Sequence, residues 1–322
     1  MSLLDLAQPV WIIAMSTSLK TYVRPRSLTD CVFNNSVMGR FKHLLWRHAL
    51  NGKRVRLQSA ANNRPADTAP TVERLRAAGI ATGNVTDFLG PEGLAALDET
   101  EAFIRARVAS DEVQAILKAG RNSGQHKDYL VNIIEFDAPM PADHPVVRLA
   151  SDERILSAVA EYMGMWPQIH AIGSWYNYPV DQEAKASQLW HRDPEDLKTV
   201  KIFIYLDDVG PKQGPFTYIP ATHPFGPDCG TAPQHAHPRR VLDAEMERTF
   251  PRARWQSCTG PARTMVMADT VGFHRGGNVE EGHRLLITVT YTSGVPQIDR
   301  RLKLVGQPAP SLSPIQAFAL RD

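Results

Sequence analysis

Beyond about residue 168, the sequence breaks into short apolar runs separated by turns that contain glycine or proline. The runs are rich in β-branched and aromatic residues, as strands are: IHAIGSWYNY, SQLWHRD, VKIFIYLDD, PFTYIP, RTMVMAD, VGFHRGG and RLLITVTYT. Short strands in series must bury their apolar sides in a sandwich or a barrel, because no strand can do so alone. This pattern predicts a β core in the second half of the chain.

The first half of the chain has a different pattern, which predicts helices. One helix is expected to begin with Thr71 as its N-cap and to end at Gly79, and others are expected over residues 91–108, 111–119 and 152–162. Helices that precede the strands favour a mainly β fold with helices packed outside the core.

Charge and composition divide the chain into three predicted regions. Residues 1–56 contain nine lysines and arginines but only two aspartates, so we expect residues 1–70 to form a basic N-terminal extension. Residues 71–300 would form the main domain. Residues 301–322 are rich in proline and serine and are expected to be an irregular C-terminal tail.

The basic segment over residues 20–56 also contains Leu44, Leu45 and Trp46 among its charges. This mixture would suit peripheral contact with an anionic membrane surface, or with an anionic substrate. A solvated basic face is the alternative interpretation.

Composition excludes several classes of protein. A hydrophobic content of 43% is enough for a core and excludes a wholly disordered chain, and a formal charge of +2 predicts no nucleic-acid partner. The three cysteines form no C-x-x-C pair, which predicts reduced thiols. Near the start, Asp5 and Pro9 argue against a signal peptide, and no apolar run reaches the ~20 residues of a membrane span, so we expect a cytoplasmic protein.

The triplet His191-Arg192-Asp193 is the first candidate for chemistry. On a strand, residues i and i+2 point to the same face, so His191 and Asp193 would offer a nitrogen and an oxygen ligand together. His274, 81 residues after Asp193, is the best third ligand. Two histidines and one carboxylate on one face of a metal leave open positions, as in non-haem Fe(II) oxygenases. A zinc-type metallohydrolase is the alternative metal enzyme.

Arg284 lies ten residues after His274, at the start of the run RLLITVTYT. This spacing would bring the chain around a turn and back into the same cavity. A guanidinium suits the distal carboxylate of a 2-oxo diacid because its fork of donors matches the two oxygens.

These segments resemble the phytanoyl-CoA dioxygenase-like family of Fe(II)/2-oxoglutarate oxygenases. The likeness rests on WHRD, YLDDVGPKQGPFTYIPATH, MADTVGFHRGGN and HRLLITVTYTS, and it extends over residues 71–295. It implies a double-stranded β-helix (jelly roll, cupin-like) core buttressed by N-terminal helices. It also implies His191, Asp193 and His274 as iron ligands and Arg284 as the partner of 2-oxoglutarate, and an aspartate at position 193 favours hydroxylation over halogenation.

One departure from the family pattern concerns the co-substrate. Related enzymes often have a serine two residues after the arginine, but Leu286 stands there in this chain. A second 2-oxoglutarate anchor must therefore come from elsewhere, and the candidates are Tyr176, Gln188 and Lys127. Strand alternation would turn Gln188 away from the face of His191, Tyr176 would also suit a core position, and Lys127 a surface one.

The function implied is hydroxylation of an aliphatic C–H bond, with Fe(II), 2-oxoglutarate and O2 as cofactors and with succinate and CO2 released; ascorbate would help in vitro. The substrate would be a small natural product or amino-acid-derived metabolite, an anionic sugar or glycolipid, or an acyl-CoA. A non-catalytic jelly-roll binding protein is the alternative outside enzymes.

Overall fold

The computed structural model describes residues 37–61, 66–119, 127–233, 240–306 and 311–321. The nine helices within these ranges are α1 (Val37–Leu44), α2 (Gly52–Ala60), α3 (Ala69–Ala78), α4 (Pro91–Val108), α5 (Asp111–Ala119), α6 (Pro145–Ala150), α7 (Glu153–Met163), α8 (Asp243–Thr249) and α9 (Pro314–Leu320). The strands are β1 (Ile80–Asn84), β2 (Leu130–Ile134), β3 (Pro139–Pro141), β4 (Gln168–Asn177), β5 (Val200–Tyr205), β6 (Phe216–Tyr218), β7 (Gln256–Ser257), β8 (Thr264–Asp269), β9 (His274–Gly276), β10 (Arg284–Thr292) and β11 (Lys303–Val305).

Two antiparallel sheets form the core. The larger sheet has six strands in the order β1-β8-β5-β10-β4-β2, and the smaller has the order β7-β6-β9. A short parallel pair of β11 and β3 lies apart from them. The fold is a double-stranded β-helix buttressed by helices, as the resemblance implied.

Alternation along the strands gives the large sheet two different faces. On β5, Ile202 and Ile204 belong to the large apolar cluster that includes the helices, while Phe203 and Tyr205 pack toward Phe216 of the small sheet. The space between the two sheets is therefore lined by the odd-numbered residues of β5.

The ends of the helices follow from local sequence. α4 and α5 have the predicted bounds, and α3 ends as expected at Gly79, which adopts a left-handed conformation with φ of 80°. α3 begins at Ala69, before Thr71. Asp152 caps α7, because its carboxylate accepts hydrogen bonds from the backbone of Arg154 and Ile155.

The described part of the basic extension packs onto the main domain. Trp46 is fully buried, and its Nε1 donates a hydrogen bond to Asp196 Oδ1 at 2.8 Å, whereas Leu44 is 53% exposed. Residues 20–36 of the predicted membrane-contact segment lie outside the described residues. At the other end, the tail expected to be irregular contains α9, which packs against α7 and β4 through Ala319 and Leu320.

Within the described ranges, no helix is both long enough and apolar enough to cross a membrane.

Candidate metal centre

Backbone hydrogen bonds bring the three predicted ligands together. His191 and His274 form an antiparallel bridge, in which each backbone N–H donates to the other residue's carbonyl, at 2.9 and 3.0 Å. The backbone N–H of Asp193 donates to the carbonyl of Thr270 at 2.8 Å. The segment SQLWHRD, predicted as a strand, thus pairs only locally, yet it is fixed against the segment that leads into β9.

The side chains of these residues converge on one point. His191 Nε2 lies 3.7 Å from Asp193 Oδ1, and His274 Nε2 lies 3.4 Å from Asp193 Oδ2. One nitrogen or oxygen atom from each residue lies within 4.8 Å of the other two. All three side chains are at least nine-tenths buried.

Hydrogen bonds on the far side of each imidazole orient the rings. His191 Nδ1 lies 2.8 Å from the carbonyl oxygen of Leu189, and His274 Nδ1 lies 3.0 Å from that of Gly272. A carbonyl can only accept, so each Nδ1 carries the proton and each Nε2 presents a lone pair to the centre. This is the tautomer that metal-binding histidines adopt.

Electrostatics favours the same protonation states. Burial and the neighbouring His274 lower the pKa of His191 well below its usual value. Burial alone would raise the pKa of Asp193, but Lys201 and His274 outweigh it and hold this pKa well below the ordinary range. A neutral imidazole and an ionised carboxylate are the forms that bind a metal, so the donor set fits Fe(II).

Lys201 is a residue of this site that the sequence analysis missed. Its Nζ lies 2.7 Å from Asp193 Oδ2 and 2.9 Å from Glu195 Oε1. The two carboxylates raise its pKa against the opposing effect of burial, so it stays charged. The available signal was the single lysine among apolar residues in VKIFIY, at a position that alternates with Phe203 and Tyr205.

Arg284 begins β10 and reaches the same cavity. Its residue is only 5% exposed, yet Nε and Nη1 have no hydrogen-bond partner among the described residues. A Cβ added to Gly276 would lie 3.4 Å from Arg284 Nη2, so glycine leaves the guanidinium its space. Burying an unpaired guanidinium costs roughly 3–5 kcal/mol. This cost indicates that a carboxylate binds beside it.

The His/Asp/His set and Arg284 line one cavity of about 280 Å³ between the sheets. Among the predicted second anchors, Lys127 and Gln188 line it and Tyr176 does not. Gln188 belongs to a short helical turn over residues 186–188, so strand alternation does not apply to it, and its Oε1 accepts a hydrogen bond from Lys185 N.

Tyr176 lies on the other face of β4, because its neighbours Trp175 and Asn177 point into the cavity. There its ring stacks on His283, with ring centroids 4.7 Å apart. His283 in turn contacts Asp207, at 3.0 Å from Nε2 to Oδ2. The structure therefore does not bring Tyr176 to the site.

Comparison with known proteins points the same way as this geometry. The family model described as phytanoyl-CoA dioxygenase (PhyH) matches residues 82–274. No curated protein has a significantly similar sequence.

Several solved structures resemble the fold. The crystal structure of EctD from S. alaskensis with bound Fe has a TM-score of 0.50 and 18% identity, over 77% of this chain and 84% of that one. The α-ketoglutarate-dependent epimerase SnoN from nogalamycin biosynthesis has a TM-score of 0.44 and 19% identity, over 71% of this chain and 84% of its own. At this identity the likeness to EctD supports the fold alone.

Proposed function

The chain belongs to the phytanoyl-CoA dioxygenase family of Fe(II)/2-oxoglutarate-dependent oxygenases, and from this premise we propose that it hydroxylates an aliphatic C–H bond of a small molecule. In this proposal His191, Asp193 and His274 bind Fe(II), and Arg284 binds the distal carboxylate of 2-oxoglutarate. The observation that carries the proposal is the pairing of a convergent His/Asp/His set with a buried, unpaired arginine in one cavity.

Each part of the site would have a distinct role. When bound, Fe(II) with 2-oxoglutarate and O2 supplies the oxidising power for hydroxylation, and 2-oxoglutarate leaves as succinate and CO2. Lys201 keeps the carboxylate of Asp193 ionised and fixed. The aromatic rings of Trp175, Phe203 and Phe216 line the cavity and exclude water from it.

An anaerobic titration of the metal-free protein with Fe(II) and then 2-oxoglutarate tests this assignment. We expect a visible charge-transfer band that is absent in His274→Ala, because one of the three ligands is lost. The band should form at much higher 2-oxoglutarate concentration in Arg284→Ala, because the carboxylate loses its charged partner.

Tyr176→Phe is the matched control, since Tyr176 lies outside the cavity, and it should give the wild-type band. Failure of the folded wild-type protein to form any band would refute the 2-oxoglutarate assignment.

A small metabolite is the substrate that the cavity volume favours. A glycolipid, with membrane contact through residues 20–56, stays a prediction. It draws support from the exposed Phe41 and Leu44, which lie beside the basic Arg40 and Lys42.

A further inference from the structure

The cavity contains more positive charge than the proposed cofactors require. Its lining residues include five cationic side chains and two carboxylates; the cations are Lys127, Lys201, Arg240, Arg284 and Arg301, and the acids are Asp193 and Glu195. Fe(II) and the 2-oxoglutarate dianion carry opposite and equal charge, so loading both would leave the positive surplus in place. Such a surplus in an enclosed site attracts an anion.

The surplus is concentrated away from Arg284. On β10, Arg284 pairs with Asn177, whereas Thr290 pairs with Ala171 on one side and with Lys201 on the other. Six residues of strand separate the two positions, which corresponds to about 20 Å at ~3.3 Å per residue. One 2-oxoglutarate molecule cannot span this distance, so the far end of the cavity is open to another ligand.

His170 lies at this far end and lacks a partner. Thr290 pairs with Ala171 but Tyr291 pairs with Ile169, so His170 is the extra residue of a β-bulge, and it lines the cavity. It is 1% exposed, and neither ring nitrogen has a hydrogen-bond partner among the described residues. Burial lowers the pKa of His170 to about 4, so the neutral ring offers one N–H donor.

Arg301 lies beside His170, since its backbone N–H donates to the carbonyl of His170 at 2.9 Å, and Lys127 faces the part of the cavity lined by Trp175. Lys127 Nζ lies 5.1 Å above the ring of Trp175, and the guanidinium of Arg301 lies 5.8 Å from the ring of Phe136. No carboxylate among the described residues pairs with either cation, in contrast to Lys201, which has two. Burial and the charge of Lys201 lower the pKa of Lys127 to about 8. An anion bound beside Lys127 would stabilise its charged form.

We propose that His170, Lys127 and Arg301 form an oxyanion subsite, which binds a carboxylate or phosphate group of the substrate away from Arg284. The substrate of the proposed oxygenase is then a small anionic molecule, held by its charged group while another part of it faces the centre between His191 and His274. The inference rests on the proposed function, and among the possible substrates it selects small anionic molecules.

Calorimetric titration of the anaerobic protein loaded with Fe(II) and 2-oxoglutarate tests the subsite with matched probes. Glycerol 3-phosphate is compared with glycerol, and 3-hydroxybutyrate with its methyl ester. We expect the anionic member of at least one pair to bind and the neutral member not to bind. The pair that shows the larger difference identifies the oxyanion as phosphate or carboxylate.

Variants of the cavity residues test where the anion binds. Arg301→Gln and Lys127→Met should each weaken binding of the anion at least tenfold. Arg301→Gln should leave the charge-transfer band with 2-oxoglutarate unchanged. Lys212→Met is the control for loss of one positive charge, because Lys212 is exposed and lies outside the cavity, and it should bind as the wild type does. Arg301 is itself exposed, so its replacement should not disturb folding.

The outcomes separate the two proposals. Equal binding of anionic and neutral probes, no binding of either anion, or wild-type affinity in both cavity variants overturns the subsite. If the band with 2-oxoglutarate fails to form while the metal-free protein still binds the anion through Lys127 and Arg301, the proposed oxygenase function is refuted and the subsite stands.

Discussion

Tyr129 is a further candidate for the second 2-oxoglutarate anchor, since it lines the same cavity as Arg284. It is buried at the cavity wall, and its hydroxyl lies 2.8 Å from Ser187 Oγ. The space above Gly276 brings Ser187 close to Arg284, since a Cβ there would lie 3.8 Å from Ser187 O and 3.4 Å from Arg284 Nη2. Tyr129, through its contact with Ser187, therefore lies on the same side of the cavity as Arg284, where Leu286 offers no hydroxyl.

We expect Tyr129→Phe to raise the Kd for 2-oxoglutarate about tenfold, because a hydrogen bond to a charged group contributes about 1.5 kcal/mol. Titration of the charge-transfer band measures this change. Tyr178→Phe, which removes a hydroxyl that donates to the carbonyl of Asp128, is the matched control. An unchanged Kd in Tyr129→Phe would exclude this hydroxyl as an anchor.

Site residues differ in how far the sequence reveals them. His191 and Asp193 are two positions apart, and His274 and Arg284 flank one turn, so local spacing predicts each pair. The prediction that the two pairs meet came from the order of the motifs and the family resemblance. His170 could not be found this way, because a β-bulge decides which way it faces, and a bulge depends on the partner strand.

Trp46, in the helical segment between α1 and α2, is one of the side chains that hold these helices on the folded domain. Trp46 is fully buried and bonded to Asp196, which lies between the metal-centre segment and β5. We expect Trp46→Ala to lower the free energy of unfolding by about 3–5 kcal/mol, because it leaves a large cavity. Chemical denaturation measures the loss.

Leu44→Ala, at the end of α1 and two residues before Trp46, is the control, and its exposed side chain predicts a change within about 0.5 kcal/mol. Equal denaturation midpoints for Trp46→Ala and the wild type would contradict a stabilising role for the Trp46 side chain.

Element prediction succeeded for several long and regular patterns. The run RLLITVTYT coincides with β10, and α4 and α5 have their predicted ends. β1 was missed, because IATGN contains glycine and asparagine, which are rare in strands. This strand is held by its pairing with β8 from the far end of the chain, and such a contact leaves no mark on the local sequence.

At the scale of the whole molecule, Asp196 links stability to pH. Burial raises its pKa to about 6, against hydrogen bonds from Ser293 and Leu197 that lower it. The folded state then holds the proton more tightly than the unfolded chain, whose pKa is about 3.9. The protonated carboxyl of Asp196 therefore contributes fully to stability below about pH 4. The free energy of unfolding falls by up to about 3 kcal/mol as the pH rises to about 6.

The variant Asp196→Asn isolates this effect because it cannot ionise. Denaturation of both metal-free proteins between pH 4 and pH 6 should show the stability of the wild type, relative to the variant, falling as the pH rises. A difference that does not change with pH would contradict the raised pKa.

The position of β10 has a consequence for the order of assembly. It is the last of the six strands of the large sheet to be synthesised, yet it lies between β4 and β5 and pairs with both. Until residue 292 has left the ribosome, those two strands keep unpaired edges, which are prone to wrong pairing. Because Arg284 begins this strand, the nascent chain acquires the arginine proposed to bind 2-oxoglutarate and the middle of its sheet in the same event.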